Sequence, residues 1–347
     1  MPTVNIHEKY AKKIQTEYVL NSLVRGKLNN NYSFEGVRTV KITTPLTVPY
    51  NDYNRTLSAN RYGTPEEMED RIQELTMSQD KSFALIIDKG NQADQQGVKG
   101  GAKMLRLQIA EQGVPMIDRY IFGVLGENAG SAVAGAALTE QNVVSIIADA
   151  TARLDDYEVP SDSRTLWISA QAYKALRLSD QFIAVEALGK KSLSKGEVGE
   201  FDNMTVIKVP SKRFPDGMQF LIVHKAAATA PHKIHDAKLH TDPPGISGNL
   251  LEGRDYYDCF IFAPKAVGVY SYFTGRTKTS TPTISGATLA GGGTGAVYHY
   301  TLDGSDPRFS NTVQTGTATG ATSGMTVKAF AQQPGNLKSD VATFVIA

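Results

Sequence analysis

The sequence has a single cysteine, Cys259, among its 347 residues, so an intrachain disulfide bond cannot form. A lone cysteine favours folding in a reducing compartment such as the cytoplasm. Cys259 lies in the apolar stretch CFIFA, where a thiol usually packs in a core and does not react. The first residues lack the apolar segment of a signal peptide, and no run of about 18 apolar residues exists for a transmembrane helix. We therefore expect folding in the cytoplasm and no membrane partner.

The chain also lacks an excess of charge, since 36 Lys and Arg residues face 35 Asp and Glu residues. Proteins that grip nucleic acid usually carry a basic excess or basic runs, so this balance argues against a nucleic-acid binder. It is compatible with a protein that encloses nucleic acid without gripping it. The hydrophobic fraction of 41% is typical of soluble globular proteins and provides enough material for a core.

Catalytic motifs are absent as well. No GxSxG, P-loop or HExxH motif occurs, and Gly97, Gly100 and Gly101 do not form the GxGxxG fingerprint of a dinucleotide site. The adjacent carboxylates of Asp155–Asp156 and of Glu66–Glu67 point apart, which does not suit an acid–base pair. We therefore predict no catalytic residue and no cofactor.

Three histidines, His232, His235 and His240, stand close together in the stretch APHKIHDAKLHTDPPG. Three histidines can bind zinc. The spacings of two and four intervening residues match no zinc motif, however, and the flanking prolines indicate an extended loop. We therefore predict a solvated loop here and no metal site.

The central element of the sequence runs from Phe83 to Leu125. Its first residues, Phe83–Ile87, form a short apolar run that predicts a strand buried on both faces. A helix is predicted over 92–112, and Gly113 and Pro115 are expected to end it. The residues that mark the packing positions of this helix are Val98, Gly100, Gly101, Ala102, Leu105 and Ile109.

The segments before this element have little core of their own. Residues 1–34 predict an amphipathic helix and an Asn-rich flexible tether, which is either an ordinary first helix or an arm that packs on a neighbour. Residues 37–49 alternate and predict a strand, whereas residues 50–82 are polar. A loop of that length is uncommon inside a compact domain, so it is either disordered or has its partner on another subunit.

The segments after the central element alternate between helix and strand without the period of a βαβ array, so the fold class is α+β. Strands are predicted at 165–169, 204–210 and 219–225, and a closing pair of strands is predicted within 256–273. The composition changes at Gly275. Residues 276–285 are rich in Thr, Ser and Pro, and residues 286–347 contain short alternating segments that predict a small all-β module.

The order of these segments resembles that of the major capsid proteins of tailed bacteriophages, which have the Hong Kong 97-type fold. The stretches that carry the resemblance are LTMSQDKSFALIID, VPMIDRYIFGVL, TLWIS, GEFDNMTVIKVPS and DCFIFAPKAVGVYSY, within residues 1–274. It implies an N-terminal arm over 1–34, an E-loop over 50–75 and an axial domain over 126–235. The peripheral domain, with the long spine helix, would comprise residues 35–49, 76–125 and 236–274.

The resemblance implies a structural protein of the virion that assembles through hexamers and pentamers into an icosahedral head around double-stranded DNA. The arm and the E-loop would contact neighbouring subunits through Tyr10, Tyr18, Tyr53, Arg55, Arg61 and Tyr62. The arm is too short for a fused scaffolding segment, so a separate scaffolding protein and a portal are implied partners. No lysine lies between Lys41 and Lys81, which argues against the E-loop cross-links of some relatives. Gly100→Leu and Gly101→Leu are expected to fold but to assemble poorly.

Residues 282–347 resemble the C-terminal immunoglobulin-like module of chitobiases and β-hexosaminidases, through VYHYTLDGSDPRFSN, TVKAFA and SDVATF. The tight turn of this module would be formed by Asp303, Gly304, Asp306 and Pro307. The resemblance implies a surface module, joined to the body by the linker 275–285, that acts as a structural knob or binds glycans weakly. Two alternative functions stay open, the shell of an encapsulin-like bacterial compartment and a polysaccharide-degrading enzyme that bears this module.

Overall fold

The structure is a computed structural model that describes residues 21–32, 34, 38–45, 47, 50–57, 59–65, 67, 70–90, 100–179 and 197–346. Tyr10, Tyr18 and Val98 lie outside the described residues, as does the predicted helix before residue 100. The helices, in chain order, are α1 (Gly101–Gln108), α2 (Val114–Glu127), α3 (Val143–Asp156) and α4 (Ala170–Leu178).

The body of the chain contains thirteen of the described strands. In chain order they are β1 (Thr39–Pro45), β2 (Asp70–Thr76), β3 (Gln79–Asp88), β4 (Ser131–Gly135), β5 (Arg164–Ser169), β6 (Glu197–Phe201), β7 (Met204–Val209), β8 (Met218–His224), β9 (Ala228–Thr229), β10 (His232–Thr241), β11 (Gly248–Tyr257), β12 (Phe260–Ile261) and β13 (Val269–Thr274). Helices and strands are mixed without regular alternation, so the predicted α+β class is confirmed.

The spine of the molecule is a continuous helical segment in which a π-helical turn, Ile109–Gly113, joins α1 to α2. The prediction that Gly113 and Pro115 end the helix is wrong. Pro115 lies in the first turn of α2, and the Val114 N–H donates to the Ile109 carbonyl, five residues back. The wider π turn accommodates a proline that would clash with the preceding carbonyl in a regular α-helix.

A six-stranded sheet, in the order β4–β13–β8–β5–β7–β6, forms the centre of the body. Alternate residues along β5 point to opposite faces, as in any strand. Trp167 joins the apolar cluster that contains α2, whereas Leu166 and Ile168 join the cluster beneath α3 and α4. The sheet is therefore covered on both faces by helices. Its strand β13 belongs to the segment that the resemblance assigns to the peripheral domain, yet it pairs with strands of the proposed axial domain, β4 and β8.

The apolar run Phe83–Ile87 lies in a strand, but the prediction that this strand is buried on both faces is wrong. Strand β3 is at the edge of a three-stranded sheet, β10–β11–β3. Ile87 is buried in it, whereas 61% of the Ile86 surface is exposed. Among the described residues, no second strand pairs with the outer side of β3. The described residues therefore cover only part of this apolar run.

The histidine-rich segment is also a strand, β10, and the predicted loop is therefore wrong. Pro231 precedes the strand, and Pro243 and Pro244 follow it, so proline removes no hydrogen bond within it. Strand β11 pairs with β10 along its length, which supplies the partner that the sequence pattern did not reveal.

Residues 21–32 pack on the body of their own chain. Leu23, Val24 and Leu28 belong to the main apolar cluster, and the Trp167 indole Nε1 donates to the Leu23 carbonyl at 2.9 Å. The Asn29 amide donates to the Ala228 carbonyl at 3.0 Å. The described part of the expected flexible tether is thus anchored, because its apolar residues fill a space beside α2.

The C-terminal module is all-β, as the sequence predicts. Its strands are β14 (Thr283–Ser285), β15 (Thr288–Ala290), β16 (Val297–Thr301), β17 (Gln314–Thr315), β18 (Thr326–Gln332) and β19 (Ala342–Val345). The sheet β17–β16–β18–β19 packs its inner residues, among them Tyr300 and Val327, against Leu289 of β15. This small cluster gives the module its own core.

Candidate assembly surfaces

The predicted E-loop extends from a two-stranded hairpin. Strands β1 and β2 pair antiparallel from Thr39–Thr76 to Pro45–Asp70, and the residues between them form its far end. The predicted contact residues Tyr53, Arg55, Arg61 and Tyr62 are all exposed there. The Tyr53 and Tyr62 rings pack edge to face with their centroids 4.9 Å apart, and Tyr62 is still 84% exposed. The end of the hairpin therefore exposes the two tyrosine rings to the surroundings of the chain.

The hairpin end is shaped by its own polar contacts. The Asn54 amide donates to the Arg61 carbonyl at 3.0 Å, and the Asn54 side-chain oxygen accepts from the Thr56 amide at 3.0 Å. The Arg61 Nε donates to the Leu57 carbonyl at 2.5 Å. Gly63 has a φ of +92°, a left-handed conformation in which a side chain is strained. These contacts give the end of the loop a defined shape.

A second exposed apolar surface lies on the sheet β10–β11–β3. Leu85 of β3 and Leu239 of β10 are exposed on one face of this sheet, and Ile86 of β3 is exposed on the opposite face. An edge strand with apolar side chains and an open row of backbone groups is a site for pairing with another chain. The structure thus provides two surfaces, the hairpin end and this sheet, that favour association.

The described spine residues lie at the start of the helix. Gly100 is the N-cap of α1, and a β-carbon there would meet no atom within 4 Å. A β-carbon on Gly101 would lie 2.8 Å from Leu239 Cδ1, so glycine at this position lets α1 approach β10 closely. Leu105 and Ile109 are half-buried and Ala102 is exposed, and α1 contains no buried residue. The described residues therefore leave part of this helix uncovered.

The C-terminal module is docked on the body. Leu337 belongs to the main apolar cluster of the body, and Phe309 packs against that cluster. The Arg308 Nη1 donates to the carbonyl of Ala129, just beyond α2, at 3.0 Å. The Asn311 side-chain amide donates to Glu74 of β2, in the β1–β2 hairpin, at 2.8 Å. The module thus contacts both the end of the spine and the base of the hairpin.

The linker is part of this docking. The Leu337 amide donates to the Thr277 carbonyl at 2.9 Å, and the Thr279 amide donates to the Leu337 carbonyl at 3.0 Å. Arg276 forms an ion pair with Glu127 at the end of α2, at 3.3 Å. Residues 276–279 therefore pack between the two parts of the chain.

The predicted turn residues of the module lie together. Asp303 Oδ1 accepts a hydrogen bond from the Ser305 amide at 2.9 Å. Partial burial acts to raise the pKa of the Asp303 carboxyl, but its hydrogen bonds outweigh burial and hold the pKa below its usual range. Gly304 has a φ of +71°, and Asp306 accepts from the Arg308 amide at 2.9 Å. Because Arg308 contacts Ala129, the turn also positions a docking residue.

The histidines separate into two sites. His240 lies 3.2 Å from Glu252, away from the other two. His232 and His235 converge on Asp255, a buried residue of β11 that the sequence reasoning did not single out. The order of residues carried no signal for this contact, because it depends on how β10 and β11 pair.

The chain also buries a thiol, Cys259, and a carboxylate, Asp118. Burial raises the pKa of the Cys259 thiol, and the nearby charge of Asp258 acts in the same direction. Such a thiol is a poor nucleophile. Asp118 is fully buried on α2, where it is paired with Arg213 at 2.6 Å. Both residues are explained by packing and structural hydrogen bonds.

Comparisons with known proteins agree with this architecture. A sequence model of the family described as Fn3 associated matches residues 288–346, the C-terminal module. No curated protein matches the sequence. None of the described helices has the length and apolar character needed to cross a membrane.

Solved phage structures have the same fold as most of this chain. A chain from Mycobacterium phage Che8 is 17% identical, with a TM-score of 0.60 over 77% of this chain and 96% of its own length. The mature capsid of bacteriophage PhiM1 is 13% identical, with a TM-score of 0.60 over 78% and 93%. The capsid of cyanophage P-SCSP1u is 10% identical, with a TM-score of 0.61 over 78% and 93%. The share of this chain left uncovered is similar in size to its C-terminal module.

Proposed function

We propose that this chain is a major capsid protein that assembles into the icosahedral head of a tailed phage. The observation that carries the proposal is the fold match, which spans 93–96% of the length of the phage chains named above. A fold that covers nearly the whole of a capsid chain supports a structural role for the body in place of a catalytic one. The proposed location is the virion, after assembly in the host cytoplasm.

The exposed surfaces support self-association. In the proposed shell, the E-loop places the Tyr53 and Tyr62 rings on a neighbouring subunit, and the open side of β3 is covered by another copy. Aromatic side chains contribute strongly to such interfaces because they bury large areas with little loss of conformational freedom. Hexamers and pentamers built in this way are stabilised by many contacts in addition to the core of each subunit.

The remaining partners follow from this role. Packaged DNA is enclosed without sequence-specific contacts, in keeping with a net charge of +1. A separate scaffolding protein and a portal complete the assembly. The C-terminal module lies outside the shell, and its docking on the spine and the hairpin supports a stabilising role in preference to weak glycan binding.

The E-loop assignment is tested with Tyr62→Ser and with Val297→Ser, an exposed position of the C-terminal module, as the control. Both variants should fold, because neither side chain is buried in the chain's own core. We expect Tyr62→Ser to weaken association by about 2 kcal/mol per contact, the size of an interface hot spot, and to lower the yield of particles. Val297→Ser should assemble like the wild type.

Sedimentation velocity, supported by negative-stain electron microscopy, measures the association. Capsomers or shells for the wild type, with a shift toward single chains for Tyr62→Ser alone, agree with the proposal. Equal assembly of Tyr62→Ser and the wild type would refute the role of this ring. Particles that contain packaged DNA separate a phage head from a compartment that holds a cargo enzyme.

A further inference from the structure

Two histidines and a carboxylate converge on one face of the β10–β11 pair. His232 Nε2 lies 3.1 Å from Asp255 Oδ1, and His235 Nδ1 lies 2.6 Å from the same oxygen. The two imidazole centroids are 5.1 Å apart. One potential ligand atom from each residue lies within 4.8 Å of the other two.

A β-bulge produces this convergence. In a regular strand, His232 and His235 would point to opposite faces, because they are three residues apart. The register shifts between His232 and Ile234, so that His232 stands opposite Tyr257 and His235 stands opposite Asp255. Tyr257 and Asp255 are two residues apart and therefore share a face. The extra residue in β10 thus turns both imidazoles toward one carboxylate, as bulges do where a side chain must be redirected.

We propose that His232, His235 and Asp255 bind a divalent transition metal, with Zn²⁺ as the best fit. Two imidazoles and one carboxylate form a common ligand set for zinc, with bonds of about 2.0–2.2 Å. Tetrahedral bonds of that length place neighbouring ligand atoms about 3.3 Å apart. The present separations of 3.1 and 2.6 Å require only a small opening of the cluster to admit the ion.

The surroundings allow the ion to enter and keep its carboxylate ligand in place. All three side chains line a cavity of about 690 Å³ between the spine, the segment after residue 21 and the sheet, so water can complete the coordination. Asp255 is buried, and its Oδ2 lies 3.9 Å from the position of a β-carbon on Gly113 in the π turn. Arg25 and Lys233 also line the cavity and oppose a cation, whereas Asp258 favours one, and Arg213 offsets the charge of Asp118. A bound ion would hold β10 to β11 directly beneath the spine.

The test is titration of the tag-free, full-length chain with ZnCl2 after removal of metals with EDTA. Isothermal calorimetry should give one Zn²⁺ per chain, and Zn²⁺ should raise the melting temperature because only the folded chain assembles this site. The matched variants are His235→Ala and His240→Ala, both exposed on the same strand. We expect His235→Ala to weaken binding by more than about tenfold and His240→Ala to leave it unchanged.

Two further readouts make the result decisive. Asp255→Asn keeps a hydrogen-bonding side chain but loses the charged ligand, and it should bind as weakly as His235→Ala. Co²⁺ should give the visible absorption of a low-symmetry histidine–carboxylate site in the wild type and not in either variant. Binding by His235→Ala as tight as that of the wild type, or no stoichiometric binding by the wild type, would overturn the proposal.

Discussion

At the scale of single residues, a buried ion pair between Asp118 and Arg213 connects three segments of the body. Asp118 accepts from the Ser22 hydroxyl at 2.7 Å, from the Leu23 amide at 3.0 Å and from Arg213 Nη1 at 2.6 Å. Arg213 also donates to the Asn21 carbonyl at 2.9 Å. Burial raises the pKa of Asp118, and these hydrogen bonds and the charge of Arg213 offset part of the increase. One pair thus links the spine, the segment before it and the segment after β7.

Arg213→Met should strongly destabilise the chain, because it leaves a carboxylate buried without its counter-charge. We expect the free energy of unfolding to fall by about 3–5 kcal/mol, measured by urea denaturation of unassembled chains. Arg119→Met, which removes an exposed hydrogen bond to the Lys212 carbonyl, should lower it by less than about 1 kcal/mol.

The pH dependence of this defect has a defined sign. In Arg213→Met, the folded-state pKa of Asp118 lies further above its unfolded value. Protonation of Asp118 then favours the folded state, so the defect shrinks toward about pH 4, grows as pH rises from there, and is complete above the folded-state pKa. Equal destabilisation by Arg213→Met and Arg119→Met, at neutral and at acid pH, would contradict this account.

At the scale of elements, the spine helix combines a close approach at its start with a π turn at its middle. The missing β-carbon of Gly101 makes room for Leu239, and the π turn admits Pro115 without ending the helix. π turns occur frequently at functional positions because they locally change the helix register. The way in which the spine packs against the sheet β10–β11–β3 therefore depends on a few residues, among them Gly101 and Pro115.

Gly101→Leu and Gly100→Leu provide a matched pair for this dependence. Both variants should fold, because the clash at Gly101 is with the flexible end of an exposed side chain and Gly100 faces open space. Gly101→Leu must displace Leu239 and change the packing of α1 on β10, so it should reduce shell yield more than Gly100→Leu does. Circular dichroism melting checks the folding, and electron microscopy counts the shells. Normal shells from both variants would show that the packing of α1 on β10 does not affect assembly.

Several elements of the fold were visible in the sequence before their tertiary partners were known. The pattern of Phe83–Ile87 identified a strand correctly, but it could not show that this strand lies at a sheet edge with Ile86 exposed. Pro115 marked a disturbance of the helix without showing that a π turn absorbs it. His235 and Asp255 are brought together by strand register and a bulge, which depend on tertiary pairing. Element order was readable from the sequence, whereas long-range contacts were not.

At the scale of the whole molecule, the C-terminal module is integrated with the body. Its own core would let it form a separate unit, yet Leu337 lies in the main cluster of the body with 2% of its surface exposed. Lys338 donates to the side-chain oxygen of Asn128, and burial lowers the pKa of its ammonium group. Through these two contacts, the module packs against the end of the spine and stabilises it.

Leu337→Ala should loosen this docking. Loss of a buried leucine side chain lowers stability by about 2–5 kcal/mol, and here the loss falls on the contact between the module and the body. Limited trypsin digestion should then cut faster after Arg276 and Lys278 in the linker. Val345→Ala, at a position that is 58% exposed on the same module, should be cut like the wild type. Identical digestion of the two variants would show that Leu337 does not hold the module.

The most direct test of the proposed capsid role is a cryo-electron microscopy reconstruction of the purified full-length chain, expressed with and without phage assembly partners. The account predicts closed icosahedral shells in which the residues between β1 and β2 lie on a neighbouring subunit and the C-terminal module faces outward. A chain that stays monomeric at every concentration and with every partner, without capsomers or shells, would contradict it.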